Sequence, residues 1–207
     1  MALVKYNNNS ISDITTAGQV ATGSLVPIKT LTASSSATLS FVHGTDGVVL
    51  DSTYPIYKFE FINIHPATND VTLQINFSTD GGSNYNVTKT TTFFVARHRE
   101  NDSATNLDYV TNRDLAQSTS NQVLNYDVGN LSDEDVCGTL TLYNPSSSTF
   151  VKHFISRAVG NGQAEDCHDS YAAGYANTAS PINAVRFQMS SGNIDAGKIK
   201  LYGIKDS

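Results

Sequence analysis

The chain has 207 residues and carries 13 Lys and Arg against 19 Asp and Glu, for a net charge of −6 and a pI of about 5.2. That length suits one all-β domain, alone or with a flexible arm, and scattered cations on an acidic chain provide no basic face for nucleic-acid phosphates. No run of about 18 apolar residues is present to span a membrane, and the opening Met1-Ala2-Leu3-Val4-Lys5-Tyr6 lacks the apolar core of a signal peptide.

Residues 1–23, rich in Asn, Ser, Thr and Gly, read as an extended N-terminal arm or edge segment. From residue 24 to 207 a single domain is expected. Apolar and polar side chains alternate there with the period of two that marks half-buried strands. Val71-Thr72-Leu73-Gln74-Ile75-Asn76-Phe77 alternates without error, as does Tyr57-Lys58-Phe59-Glu60-Phe61. In chain order the pattern predicts strands at 25–30, 37–41, 57–61, 71–77, 90–97, 122–128, 138–143, 149–158, 172–177, 185–189 and 198–204. A short strand or a helical turn is expected within 107–115. Alternation directs Phe59, Phe61, Leu73, Ile75, Phe77, Leu140, Leu142, Phe187 and Leu201 to the core.

Turn residues separate these segments. Ser78-Thr79-Asp80-Gly81-Gly82-Ser83-Asn84-Tyr85 reads as a hairpin loop, as does the segment 143–150 with Pro145 at its corner. The segment 190–197 would close a terminal hairpin between 185–189 and 198–202. Many one-face strands with Gly, Pro, Asn and Ser turns predict an all-β fold, an antiparallel jelly-roll-like β-sandwich with an extended N-terminal arm. An immunoglobulin arrangement would use fewer strands, and the Trp that often marks its core is missing altogether.

Two polar stretches interrupt the alternation, and long loops in compact domains are commonly functional. In 97–122, Arg97, His98, Arg99 and Arg113 offer donors, whereas Asp102, Asp108 and Tyr109 offer acceptors and a stacking surface. His98, Arg99, Asp108, Tyr109 and Arg113 are therefore the candidate binding residues, suited to a sugar or a neighbouring subunit's polar surface. In 159–170, Glu165, Asp166, Cys167, His168 and Asp169 are metal-ligand types. Five consecutive residues of an extended loop do not converge on one ion, so Glu165, Asp166 and Asp169 stand only as weak metal candidates that would need help from Asp133, Glu134 and Asp135. All-oxygen ligation would favour calcium.

Cys137 and Cys167 form neither a zinc pattern nor a CxxC motif and read as separate thiols. The histidines lack His-x-His or His-Glu-x-x-His spacing, no GxSxG elbow is present, and the Gly81-Gly82 pair has no helix to follow it as a phosphate loop would require. No catalytic residue and no cofactor are assigned, and the chain is read as a non-enzyme.

The segments Met1–Ile11, Phe59–Asp70, Asp114–Ser120, Asn144–Ile155 and Met189–Ile204 resemble a family of uncharacterised marine bacteriophage proteins regarded as virion or tail-associated structural components. The likeness runs nearly end to end. It implies a phage structural protein located in the virion, most simply a tail fibre or appendage protein contacting the host surface. The alternatives are a capsid decoration (cement) protein and, more remotely, a polysaccharide-degrading tailspike, which would want repeats building a β-helix. The expected partners are other virion proteins, a host-surface glycan or receptor and, from the low charge and the habit of jelly-roll virion proteins to form rings, other copies of itself as a homotrimer, with no nucleic acid and no membrane insertion. A charged fraction of 15%, against about 25% in an average soluble domain, with 19 Asn, 23 Ser and 22 Thr, gives the weakly charged surface typical of adhesins and virion proteins.

Overall fold

A computed structural model describes residues 24–206, so the proposed arm at 1–23 lies outside the described residues. Within them twelve strands form two antiparallel sheets and there is no helix. The strands are β1 Leu25–Thr32, β2 Leu39–Val42, β3 Ile56–Pro66, β4 Leu73–Ser78, β5 Lys89–Arg99, β6 Thr105–Tyr109, β7 Gln122–Val123, β8 Val136–Tyr143, β9 Lys152–Gly162, β10 Asp166–Ala176, β11 Ala184–Met189 and β12 Ile194–Ile204. One sheet runs β1-β12-β3-β8-β9-β10-β5-β6 and the other β2-β11-β4-β7.

The alternation in the sequence is what drives the two sheets together. All nine residues assigned to the core are buried. Aromatic rings from opposite sheets meet edge-on or tilted between them: Phe41 of β2 lies 5.3 Å from Phe59 of β3, and Phe187 of β11 lies 5.4 Å from both Phe59 and Phe61. Further along, Phe77 of β4 meets Phe154 of β9 at 5.4 Å. Such pairs contribute about 0.5–1.5 kcal/mol each beyond their area burial. They also fix which faces of the two sheets look inward. The result is a β-sandwich.

Two expected hairpins prove to be crossings between sheets. β4 and β5, either side of Gly81-Gly82, belong to different sheets, and so do β11 and β12. Turn chemistry is local and makes the chain reverse: Asp80 accepts from Ser78 Oγ and from the Asn84 backbone and side-chain amides, with Gly81 and Gly82 at positive φ. It does not dictate that the flanking strands pair. Their apolar faces decide instead, and each flanking strand finds a better partner elsewhere, β12 between β1 and β3 and β11 between β2 and β4. The 143–150 turn does join a paired hairpin, β8–β9.

Both polar stretches are more ordered than loops. Arg97–Arg99 complete β5, and β6 pairs with it along Phe94–His98 as an edge strand. Residues 159–170 are a tight hairpin in which β9 runs on to Gly162 and β10 begins at Asp166. The eight-stranded sheet extends past its smaller partner, and the 110–128 segment covers the inner face of β5 and β10 instead. Leu115 exchanges hydrogen bonds with Thr91, Gln122 accepts from Thr91 Oγ1, and the Tyr126 amide donates to Ser170 Oγ at 2.9 Å.

Candidate functional site

At the extended end of the large sheet, antiparallel register sets Arg99 opposite Asp166 and Arg97 opposite His168, all four on the inner face. Alternation explains this: 97 and 99 on β5 share a face, and so do 166 and 168 on β10. On the β9 side the register neighbours are Gly162 and Gly160. A Cβ at Gly162 would run into Asp127 Oδ1, so a glycine there lets the covering segment bring Asp127 down onto the sheet. Val128 and Val71 bond reciprocally, which holds Asp127 and Asp70 at the rim.

His168 is almost fully buried. Its Nδ1 lies 3.3 Å from Asp127 Oδ1 and its Nε2 lies 3.5 Å from Asp166 Oδ2, and neither contact has hydrogen-bonding geometry. Asp166, buried too, accepts from Arg99 Nε at 3.0 Å. Burial pushes the Asp127 carboxyl above the usual carboxylate range, the His168 charge opposes this, and Asp70 adds to it. The Tyr126 ring meets His168 edge-on and lies under two guanidiniums, Arg97 at 4.7 Å and Arg113 at 5.0 Å. Cations over aromatic faces contribute about 0.5–2 kcal/mol each, more when desolvated. Arg97 also reaches Asp108 at 3.3 Å, which Asn106 Nδ2 bonds as well.

Asp70, Arg97, Arg99, Tyr126, Asp127, Gln163, Ala164 and Asp166 enclose a cleft of about 440 Å³. A smaller one of about 240 Å³, lined by Arg97, Arg99, Ala104, Asn106 and Asp166, adjoins it and shares three of its walls. A depression of about 500 Å³ beside Ser52–Pro55 and Lys205 offers no comparable convergence of buried charge.

The candidate residues from the sequence divide between two faces. Arg99, Asp108 and Arg113 converge here through Arg97 and Tyr126. His98 and Tyr109 point to the opposite face of the sheet, where His98 pairs with Asp102 at 3.0 Å and the Tyr109 hydroxyl donates to Asp114 at 2.6 Å. The weak metal set is undone by the same alternation. Asp166 faces inward to Arg99, Asp169 faces outward to a bidentate contact with Arg157, and Glu165 sits in the turn at φ 56°. Among the described residues no group of three or more His, Cys, Asp or Glu is arranged to hold a metal ion. Asp70, Tyr126, Asp127 and Gln163 were not anticipated. A signal for Asp127 was available: it is a lone charge between Leu124 and Val128, both fully buried.

The outer face of the extension also carries exposed apolar side chains among these ion pairs. Phe94 stacks on Tyr171 at 4.6 Å with rings nearly parallel, and Tyr109, Leu107, Ile155 and Val159 are exposed around them. Comparison of the chain with protein-family models, with curated proteins and with solved structures finds no match.

Proposed function

We propose that this chain is a non-enzymatic phage virion structural protein, a tail fibre or appendage component built on a jelly roll and contacting the host surface. One observation carries the reading: the strand order. Setting aside the β5–β6 and β9–β10 hairpins, the sheets reduce to β1-β12-β3-β8 facing β2-β11-β4-β7. Successive strands then alternate between sheets except at β4 and β7, which pair with each other, and the last strand lies beside the first, an order that fits two interleaved Greek keys. That architecture recurs in viral capsid and lectin domains. A fold alone does not assign a function, and the reading draws equally on the resemblance to phage virion proteins along the sequence. The two hairpins lengthen one sheet only, and they bear both the charged cleft and the outer apolar face. In this reading the cleft meets the host surface and the apolar face meets other copies, giving a homotrimer.

Decoration of the capsid is the second reading, favoured by that same apolar face, which would seat on a neighbouring capsid subunit. Antibody labelling of intact particles tests both. Gold at the tail tip supports the appendage, and gold spread over the capsid supports the decoration protein. Particles that contain none of this chain refute the virion assignment.

A further inference from the structure

The cleft at the junction of β5, β10 and the 126–127 segment has a donor and acceptor set that selects one class of ligand. We infer that it binds an uncharged saccharide, held by hydrogen bonds between Arg99 and Asp127. This deepens the host-contact reading and rests on it.

Charge balance comes first. Arg97 and Arg99 line the cleft together with Asp70, Asp127 and Asp166, so its walls intersperse guanidiniums and carboxylates. A phosphate or sulfate would meet three carboxylates, and a cation would meet two guanidiniums. A sugar hydroxyl suits both, because it accepts from a guanidinium and donates to a carboxylate at once.

Hydrogen-bond satisfaction comes second. Six buried side-chain atoms lack a partner among the described residues, and four of them are here: Arg97 Nε, Asp127 Oδ1 and both ring nitrogens of His168. Buried polar atoms are nearly always paired, and leaving one unpaired costs about 1–3 kcal/mol. The His168 nitrogens face Asp127 and Asp166 at 3.3 and 3.5 Å and hold the two carboxylates from behind, which leaves Arg97 Nε, in the wall of both cavities, as the buried donor open to a polar ligand. Shape comes third. The two adjoining cavities meet at Arg97, Arg99 and Asp166, so the groove runs on past a single sugar ring. The larger alone falls within the roughly 300–1,000 Å³ of small-ligand sites. Tyr126 is covered by its two guanidiniums, so the affinity rests on hydrogen bonds, without ring stacking.

The test uses the purified full chain and an array of neutral tri- and tetrasaccharides of glucose, galactose, mannose and N-acetylglucosamine, with sulfated and sialylated counterparts. Hits are then titrated by NMR. At least one neutral saccharide should bind below about 10 mM, and Asp127→Asn and Arg99→Gln should each weaken it by about tenfold or more. Gln163→Ala, in the exposed turn, should weaken it severalfold with unchanged melting, which keeps the test valid if Asp127→Asn does not fold. Binding restricted to sulfated or sialylated glycans overturns the inference, as does binding that all three variants leave intact. Absence of any neutral binding overturns it too and leaves the virion reading to particle labelling. Neutral binding by a protein missing from particles would retain the site and remove the virion reading.

Discussion

Arg99 and Asp166 are 67 residues apart in the chain and directly opposite one another in space, joined by a 3.0 Å hydrogen bond across β5 and β10. The pair closes the hairpin side of the charged cleft and keeps the Asp166 carboxylate turned between a guanidinium and the His168 ring. Removing the guanidinium leaves the buried carboxylate without its hydrogen-bond donor, with only the His168 ring beside it. Arg99→Ala should therefore lower stability by about 1–3 kcal/mol, whereas the same change at His98, exposed on the opposite face, should cost under about 0.5 kcal/mol. Denaturant unfolding of the two variants side by side checks this, and equal losses would count against it.

The inter-sheet aromatic cluster makes a second expectation. Phe187 contacts Phe41, Phe59 and Phe61 and is fully buried. Phe187→Ala should cost about 3–5 kcal/mol, and Leu73→Ala about 2–5 kcal/mol. Chemical denaturation followed by tyrosine fluorescence reads both. A loss below about 1 kcal/mol at Phe187 would mean that the two sheets are not packed through it.

Lys89 makes stability depend on pH. Its side chain is fully buried, with Nζ donating to Asn76 Oδ1 at 2.6 Å and to the Val87 carbonyl at 2.7 Å, and burial lowers its pKa from 10.5 to about 8. Between those two values the unfolded chain holds a proton that the folded chain has released. Lys89 therefore penalises folding most fully below about pH 8, and its contribution to stability rises as pH climbs towards 10.5. Relative to Lys89→Met, the natural protein should gain stability across that window. A difference between the two that stays flat from pH 7.5 to about 10.5 would refute the expectation.

The two thiols cannot pair within one chain. Cys137 on β8 and Cys167 on β10 are exposed and lie on either side of β9, where their register partners are Val159 and Asn161. Two inter-strand spacings separate them by at least roughly 9–10 Å, beyond the limit of about 7 Å for a disulfide. Thiol titration of the unreduced native protein should give two free thiols per chain, and a mass lower by two hydrogens for the monomer would contradict it.

Self-association is the last expectation. Phe94, Tyr109 and Ile155 are exposed on the outer face of the extension, outside the core. Light scattering at micromolar concentration should give a trimer, and Phe94→Ser with Ile155→Ser should shift it to monomer with little change in melting. A natural protein that is already monomeric would remove this face as a self-interface.

What the sequence determined by itself is the local content of the fold. A period of two in side-chain polarity is an intrinsic property of a strand, so Leu73, Ile75, Phe77 and Phe187 could be assigned to the core before any pairing was known. Gly81-Gly82 likewise marked a reversal because positive φ is a property of one or two residues. The choice of partner strand was decided only in the tertiary structure, because it compares the burial of whole faces. Hence β11 and β12, adjacent in sequence and separated by a good turn, lie in opposite sheets. The cleft follows the same division. Arg99, Asp108, Arg113 and Asp166 were visible as charges in polar stretches, but which face each one occupies depends on register, and register removed His98, Tyr109 and Asp169 from their company. Asp70 and Asp127 come from segments distant in the chain: Asp127 reaches His168 only because the covering segment descends onto a sheet opened there by Gly162, and the Val71–Val128 bonds bring Asp70 to the rim beside it.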